Sequence, residues 1–390
     1  MASRVTPISR ARTVRQSAVR TAGERRAVLL LLPVAMLMII GLGALLSASS
    51  VVGIRSAGGD QFFFVKRQII FIAVGLVAFG VTVKLPYRWY SRFAVPILAI
   101  GILGLVATLL FGEVRGGARR WIDLGPISVQ TSEFAKFAVV AFLAATLSRK
   151  ERWLHSFTHV AVPVVISLGT VAVLLLVQPD LGTTVLISGA AFAVLAVSAA
   201  PVRYVIALGA VGALGVLALA RSQPYRWERV TTFLNPDADP LGAGLQSFQS
   251  LVALGTGGWF GLGLGASRAR WSFLPNAHTD FIFAIIGEET GLAGTLVVTA
   301  LFVTLSIVGV AIAMKAPDRF GRLLAVGLVA WLSFQALVNI GGVTRVMPIT
   351  GVPLPFVSSG GSAMIVNLAI IGILVNIARA AGRVSSEPGQ

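Results

Sequence analysis

Between Phe273 and Gly291 the chain reads FLPNAHTDFIFAIIGEETG, setting His278, Asp280, Glu288 and Glu289 among apolar residues. Carboxylates can take a proton from a hydroxyl, pair with a cation or hold a hard metal ion. Acids inside an apolar segment are costly, and where they occur they face a cavity or a cationic partner. Asp280 and Glu288 are eight residues apart, about 80° around a helix, so both can line one wall of a single cavity. Only 12% of the chain is charged, which makes this concentration of acids informative.

Other chemistry-bearing residues fall into short groups. In SEFAK, Glu133 and Lys136 have the i, i+3 spacing of a helical ion pair, and they can equally serve binding or catalysis. Asp180 of QPDLGT follows Pro179 and suits a helix cap. Lys66, Arg67, Arg115, Arg119, Arg120, Arg226, Arg229, Arg268 and Arg270 fall in segments on the same side as Asp280, so an anionic ligand is expected there. VPLPFVSSGGS carries Ser358 and Gly360 among prolines and glycines, the composition of a shaped loop with exposed amides, and Arg345 lies just before it. His155 and His159 have helical metal-ligand spacing but no third ligand nearby, so they read as structural. GLGLGAS at 261–267 resembles a dinucleotide fingerprint only superficially, because no strand–helix unit surrounds it.

The elements that must position these groups are membrane spans. Of 390 residues 56% are hydrophobic, which excludes an ordinary soluble domain. There is no cysteine, hence no disulfide framework and no thiolate metal site. The net charge of +17 is scattered between apolar runs, so nucleic-acid binding is not expected; inter-span Lys and Arg set topology or meet membrane lipids. A ruler of about 20 apolar residues per crossing finds ten spans, at 27–52, 68–85, 93–111, 134–148, 157–177, 182–199, 202–221, 281–314, 323–344 and 362–380. The eighth is long enough to tilt or break near Gly291–Gly294.

The expected fold is therefore an all-α polytopic membrane protein of about ten helices, with a large extracytoplasmic loop between helices 7 and 8. Residues 1–26 read as a basic, disordered cytoplasmic tail, 27–380 as one membrane domain and 381–390 as a second cytoplasmic tail. The Arg-rich N-terminus places both termini in the cytoplasm. Three long segments then lie outside: Gly112–Lys136, Ser222–Asp280 and Thr344–Ser362. Within the second, Leu241–Gly265 is apolar enough to lie in the interface or re-enter the membrane.

In order along the chain, GARRWI (117–122), SEFAK (132–136), QPDLGT (178–183), GLGLGAS (261–267), LPNAHTDFIFAIIGEETG (274–291) and PITGVPLPFVSSGGS (348–362) resemble the SEDS family of bacterial cell-wall proteins, the FtsW, RodA and SpoVE group. The resemblance implies a peptidoglycan glycosyltransferase that polymerises lipid II on the outer face of the cytoplasmic membrane. It makes Asp280 the catalytic base. Arg119, Arg120, Trp121, Lys136, Arg268, Arg270, His278, Ser358 and Gly360 are candidates for binding substrate, and Glu133 and Glu289 are supporting carboxylates. A divalent cation, Mg or Mn, is a cofactor candidate near Asp280 and Glu133. The implied partners are a class B penicillin-binding protein transpeptidase and other divisome or elongasome proteins.

The GEE form at 287–289 leans toward the FtsW-like division branch, hence toward the septum. Departures from the family pattern are Thr131 before SE, Asn276 after LP, Arg270 where lysine is common, and Ser359 and Ala363 in the last motif. The alternatives are a RodA-like elongation polymerase, a lipid II flippase and an inactive scaffold. No internal repeat is visible and the charges gather at one side, which favours a polymerase over a transporter.

Overall fold

The computed structural model describes residues 7–56, 58–115, 117–123, 125, 128–235, 244–268 and 277–384. Its helices are α1 (Pro7–Ser56), α2 (Phe63–Lys84), α3 (Arg88–Arg92), α4 (Ala94–Phe111), α5 (Thr131–Arg149), α6 (Phe157–Val164), α7 (Thr170–Val177), α8 (Leu181–Val197), α9 (Val202–Arg221), α10 (Pro224–Leu234), α11 (Leu245–Gly257), α12 (Ile282–Met314), α13 (Arg319–Val343) and α14 (Gly361–Val384). Among the described residues nine helical stretches are long and apolar enough to cross a membrane, and α8 is a shorter apolar helix. Together they match the ten expected crossings. The chain is a multi-pass, all-α membrane protein.

Apolar side chains facing lipid gain nothing from packing, so the contacts that order the bundle are made where small residues let backbones approach. At Gly41 of α1 a Cβ would meet the Val357 backbone at 2.6 Å, and at Gly75 of α2 one would meet Leu368 of α14 at the same distance. α5 and α13 are the most enclosed long helices of the middle of the chain, whereas α9 is almost wholly exposed to its surroundings. The span Phe157–Val177 is interrupted. Pro163 sits inside α6, and a π-helical turn, Val165–Gly169, joins it to α7. A proline removes one backbone bond, and the wider turn absorbs the mismatch.

Two local findings depart from the expectation. α1 begins at Pro7, so helix runs through most of the segment expected to be a disordered tail. The segment after α4 folds into a small antiparallel sheet of β1 (Glu113–Arg115), β2 (Ala118–Asp123) and β3 (Ser128–Val129), in that order. Trp121 pairs with Glu113 and Ile122 with Val129. The register shifts between Glu113 and Val114, whose partners are Trp121 and Arg119, so Arg120 is the unpaired residue of a bulge. At the opposite end of the bundle Gly23 of α1 packs against Ala378 of α14.

The end away from the Gly23–Ala378 contact is where the sheet, the 178–183 turn, the segment before α12 and the 344–360 loop meet. The turn is capped as its sequence predicts: Asp180 accepts from the Thr183 amide at 3.1 Å and from its hydroxyl at 2.8 Å. Gly182 then packs against the Thr350 carbonyl of the 344–360 loop, where a Cβ would come within 2.6 Å.

Candidate active site

Asp280 stands at the entrance of α12, half-buried, in a segment held from two sides. On one side, Asn339 of α13 donates from Nδ2 to the Asp280 carbonyl at 2.8 Å and to the Val352 carbonyl at 2.7 Å. Two carbonyl acceptors can be served only by the amide NH2, so the orientation of Asn339 is fixed. On the other side, the Ser358 hydroxyl donates to the Thr279 carbonyl at 2.6 Å and accepts from the Leu354 amide at 2.8 Å. Gln68 of α2 secures the same loop, donating to the Ser358 carbonyl at 3.3 Å and accepting from the Gly360 amide at 3.4 Å. Asp280, Asn339, Gly351 and Val352 line a small pocket at this junction. A carboxylate that must meet a reacting hydroxyl needs this kind of support, because small misplacements are costly.

His278 lies one turn of chain away, its ring 4.9 Å from that of Phe64 of α2. Burial lowers its pKa from 6.5, because the charged imidazolium loses solvent. The backbone carbonyl of His278 accepts from the Ser359 amide at 3.2 Å, a third link between the two loops.

The two acids of the GEE sequence point to different partners. Glu289, 4% exposed, accepts a hydrogen bond from Ser47 of α1. Glu288, 2% exposed, accepts from the Ser267 hydroxyl at 2.5 Å and from the Arg268 amide at 3.0 Å. Their backbones do something further. α12 breaks at Gly291, whose φ of 67° and ψ of −164° are not helical. The Glu288 and Glu289 carbonyls accept instead from the Leu262 and Gly263 amides, at 3.0 and 3.1 Å. Past the break, the Leu292 and Ala293 amides donate to the Gly258 and Trp259 carbonyls, at 2.9 and 3.1 Å. The glycine-rich stretch is thus a strand-like insert docked into a broken membrane helix. A Cβ at Gly261 would stand 2.0 Å from the Glu289 carbonyl oxygen, which explains the glycine.

The structure reassigns several expected site residues. Lys136 is not a cation open to substrate: it is 1% exposed and bonded to Glu133 at 2.9 Å. Its ammonium also lies 4.5 Å from the Trp331 ring and 3.2 Å from Gln335 Oε1. Gln335 accepts from the Trp331 indole at 2.8 Å and donates to the Pro353 carbonyl at 2.8 Å, so the ion pair braces the same loop. The i, i+3 pair that the SEFAK spacing allows is present. Ser358 and Gly360 are braces as well, their polar groups being spent on Thr279, Leu354 and Gln68. Glu289 holds α1 rather than a cation.

The remaining expected site residues divide by exposure. Arg119 is exposed, with its guanidinium 3.2 Å from the Leu109 carbonyl. Trp121 is half-buried beside it on β2. Arg120 donates to the Pro179 carbonyl, tying the sheet to the 178–183 turn. Arg268 is exposed. Arg270 and Asn276 lie outside the described residues. Among the described residues no three His, Cys, Asp or Glu side chains gather into a metal site, and Glu133 is committed to Lys136. A cage built by the protein alone does not fit these residues.

Gln68, Gln335, Asn339 and Ser47 escaped notice in the sequence. The available signal was their polarity within apolar spans, and Gln335 and Asn339 are four apart, on one face of α13.

Comparisons with known proteins cover nearly the whole chain. Residues 27–382 match the family model described as cell cycle protein, for FtsW, RodA and SpoVE. The stage V sporulation protein E of Bacillus subtilis is 40% identical over 353 residues, covering 90% of this chain and 96% of that protein. The probable peptidoglycan glycosyltransferase FtsW of Aeromonas salmonicida is 40% identical, covering 87% of each chain. Among solved structures, a chain of a peptidoglycan synthase complex that coordinates polymerization and crosslinking superposes with a TM-score of 0.73 at 30% identity, covering 90% of this chain and 97% of that one. The rod shape determining protein RodA of Thermus thermophilus gives 0.65 at 28% identity, covering 90% and 95%. The broken helix, the docked glycine-rich insert and the braced aspartate thus belong to a member of the FtsW/RodA/SpoVE family.

Proposed function

We propose that this chain is a peptidoglycan glycosyltransferase that polymerises lipid II, with Asp280 as its general base. The observation that carries the reading is the placement of Asp280. It is clamped through its own carbonyl by Asn339 and through its neighbour Thr279 by Ser358. Curated relatives named as peptidoglycan glycosyltransferases support the reaction class.

In the reaction, a sugar hydroxyl of the acceptor gives its proton to the Asp280 carboxylate as its oxygen attacks the anomeric carbon of the donor. The carbon–oxygen bond to the lipid pyrophosphate breaks, and the leaving group takes the electron pair. An α-linked donor and a β-linked product make the transfer inverting. Exposed cations stabilise the charge that builds on the pyrophosphate; Arg119 and Arg268 are the described candidates, and Arg270 is a further one. Trp121, beside Arg119 on β2, is placed to lie against a sugar or the lipid at the interface. A divalent cation, Mg or Mn, would arrive with the substrate, since magnesium is commonly shared between a carboxylate and phosphate oxygens. It would supply charge at the leaving group.

On this reading the chain works in the bacterial cytoplasmic membrane with both termini inside, at the division septum. Its partners are a class B penicillin-binding protein transpeptidase and other division proteins. Support for such a partner comes from the solved peptidoglycan synthase complex that the chain resembles.

The test is polymerisation of labelled lipid II by the full-length chain with its transpeptidase partner, read as a ladder on a gel. Asp280→Ala and Asp280→Asn are expected to lose the ladder while keeping the thermal unfolding of the parent. Polymer at the parental level from either variant would remove Asp280 from the reaction. Liposomes in which the chain moved lipid II across the bilayer without joining it would establish a flippase instead.

A further inference from the structure

Glu288 does not face the pocket of Asp280, and nothing in the proposed reaction uses it directly. Its carboxylate is 2% exposed and spends both oxygens on the end of the glycine-rich insert, Oε2 on the Ser267 hydroxyl at 2.5 Å and Oε1 on the Arg268 amide at 3.0 Å. Its carbonyl takes the Leu262 amide at 3.0 Å, so one residue holds the insert at two points six residues apart. A buried carboxylate is an expensive way to tie down a loop, since a neutral acceptor would avoid the cost of desolvating charge. Charge-assisted bonds to a carboxylate are shorter and stronger than neutral ones, however, and they fix position more tightly. Glu289, the neighbouring acid, reaches α1 and so cannot share this task.

What the clasp fixes is the start of the segment that leads to Asp280. Arg268 follows the last tethered side chain, its amide is the tethered group, and it is exposed. Glu288 lies on α12 eight residues beyond Asp280, which stands just before the start of that helix. We infer that Glu288 is a positioning residue, which registers the Arg268 end of the insert against Asp280 so that the Arg268 cation meets the anionic pyrophosphate of the lipid-linked sugar. This inference rests on the polymerase reading and on the role given there to Arg268.

The experiment is a steady-state cycle on the full-length chain with its partner, using lipid II and reading KM, kcat and thermal unfolding. Arg268→Ala is expected to raise KM about tenfold, the size of one lost charge-assisted contact. Glu288→Ala raises KM in the same direction, and Glu288→Ala with Arg268→Ala is no worse than the poorer single variant, because both remove one contact. Glu288→Gln keeps an acceptor for the Arg268 amide but loses the charge, so its KM falls between those of the parent and of Glu288→Ala. Ser267→Ala, which removes one tether only, gives a smaller rise in KM and serves where Glu288→Ala fails to fold.

Multiplicative losses in the double variant, or a fall in thermal stability and kcat with KM untouched, would overturn the inference and leave Glu288 a brace of the fold. Arg268→Ala with parental KM would overturn the role of Arg268, and the positioning role falls with it. A parent that binds lipid II and makes no polymer would instead sink the polymerase reading.

Discussion

At the scale of single residues, the site separates groups that look alike in sequence. Glu133, Glu288 and Glu289 are all buried acids near the same end, yet their partners are an ammonium, a hydroxyl with an amide, and a hydroxyl. Lys136→Met is expected to cost about 3–5 kcal/mol, because it leaves Glu133 buried without its cation. Adding Glu133→Gln should recover a good part of that loss, and thermal unfolding of the purified variants measures both. His278 gives a pH dependence. Its pKa in the fold lies below the 6.5 of the unfolded chain, so over the window between the two the unfolded state binds more protons. Stability is therefore full above 6.5 and falls as pH drops through the folded pKa. His278→Phe, which keeps a ring against Phe64, should remove that share of the slope; unfolding temperatures between pH 7.5 and pH 5.5, roughly one unit either side of an ordinary histidine, test it. The Glu133–Lys136 spacing showed that a pair was possible, but the sequence could not choose between bracing and binding. The choice depends on Trp331 and Gln335, almost two hundred positions away.

At the scale of elements, the spans were legible because about 20 apolar residues have few other uses. Breakage near Gly291 was legible too, from the length of the apolar run. The docking of Gly258–Ala266 into that break was not, because it consists of backbone bonds between segments about thirty residues apart and leaves no side-chain pattern. Nor did the three strands of the sheet stand out, since they are short and carry Glu, Arg and Trp in no clean alternation. Gly291→Ala tests the docking. Its left-handed φ alone costs a side chain about 1–2 kcal/mol, and a Cβ there would lie 2.5 Å from the Phe260 and Gly261 amide nitrogens. The insert should be displaced. Limited trypsin digestion should then cleave at Arg268 faster than in the parent, with polymer formation lost in parallel.

At the scale of the molecule, the placement of charge and of ends becomes one argument about sides. Gly23 of α1 and Ala378 of α14 meet at one end of the bundle, where Arg88 pairs with Asp318 at 2.9 Å and Tyr87 donates to the same carboxylate at 2.7 Å. The braced aspartate, the sheet and the docked insert occupy the other end. On the proposed reading a lipid-linked sugar is met outside, so the sheet is expected to face out and the α5–α6 turn to face the cytoplasm. The chain itself supplies a clean background for testing this, having no cysteine. Glu113 of β1 is exposed at the site end, and Lys150, just after α5, is exposed at the opposite end. Single-cysteine variants Glu113→Cys and Lys150→Cys carry no competing thiol in the chain. A membrane-impermeant maleimide added to intact spheroplasts should label the first and spare the second, with both labelled after lysis. The reverse pattern would put Asp280 in the cytoplasm, where polymerisation of an exported precursor could not take place.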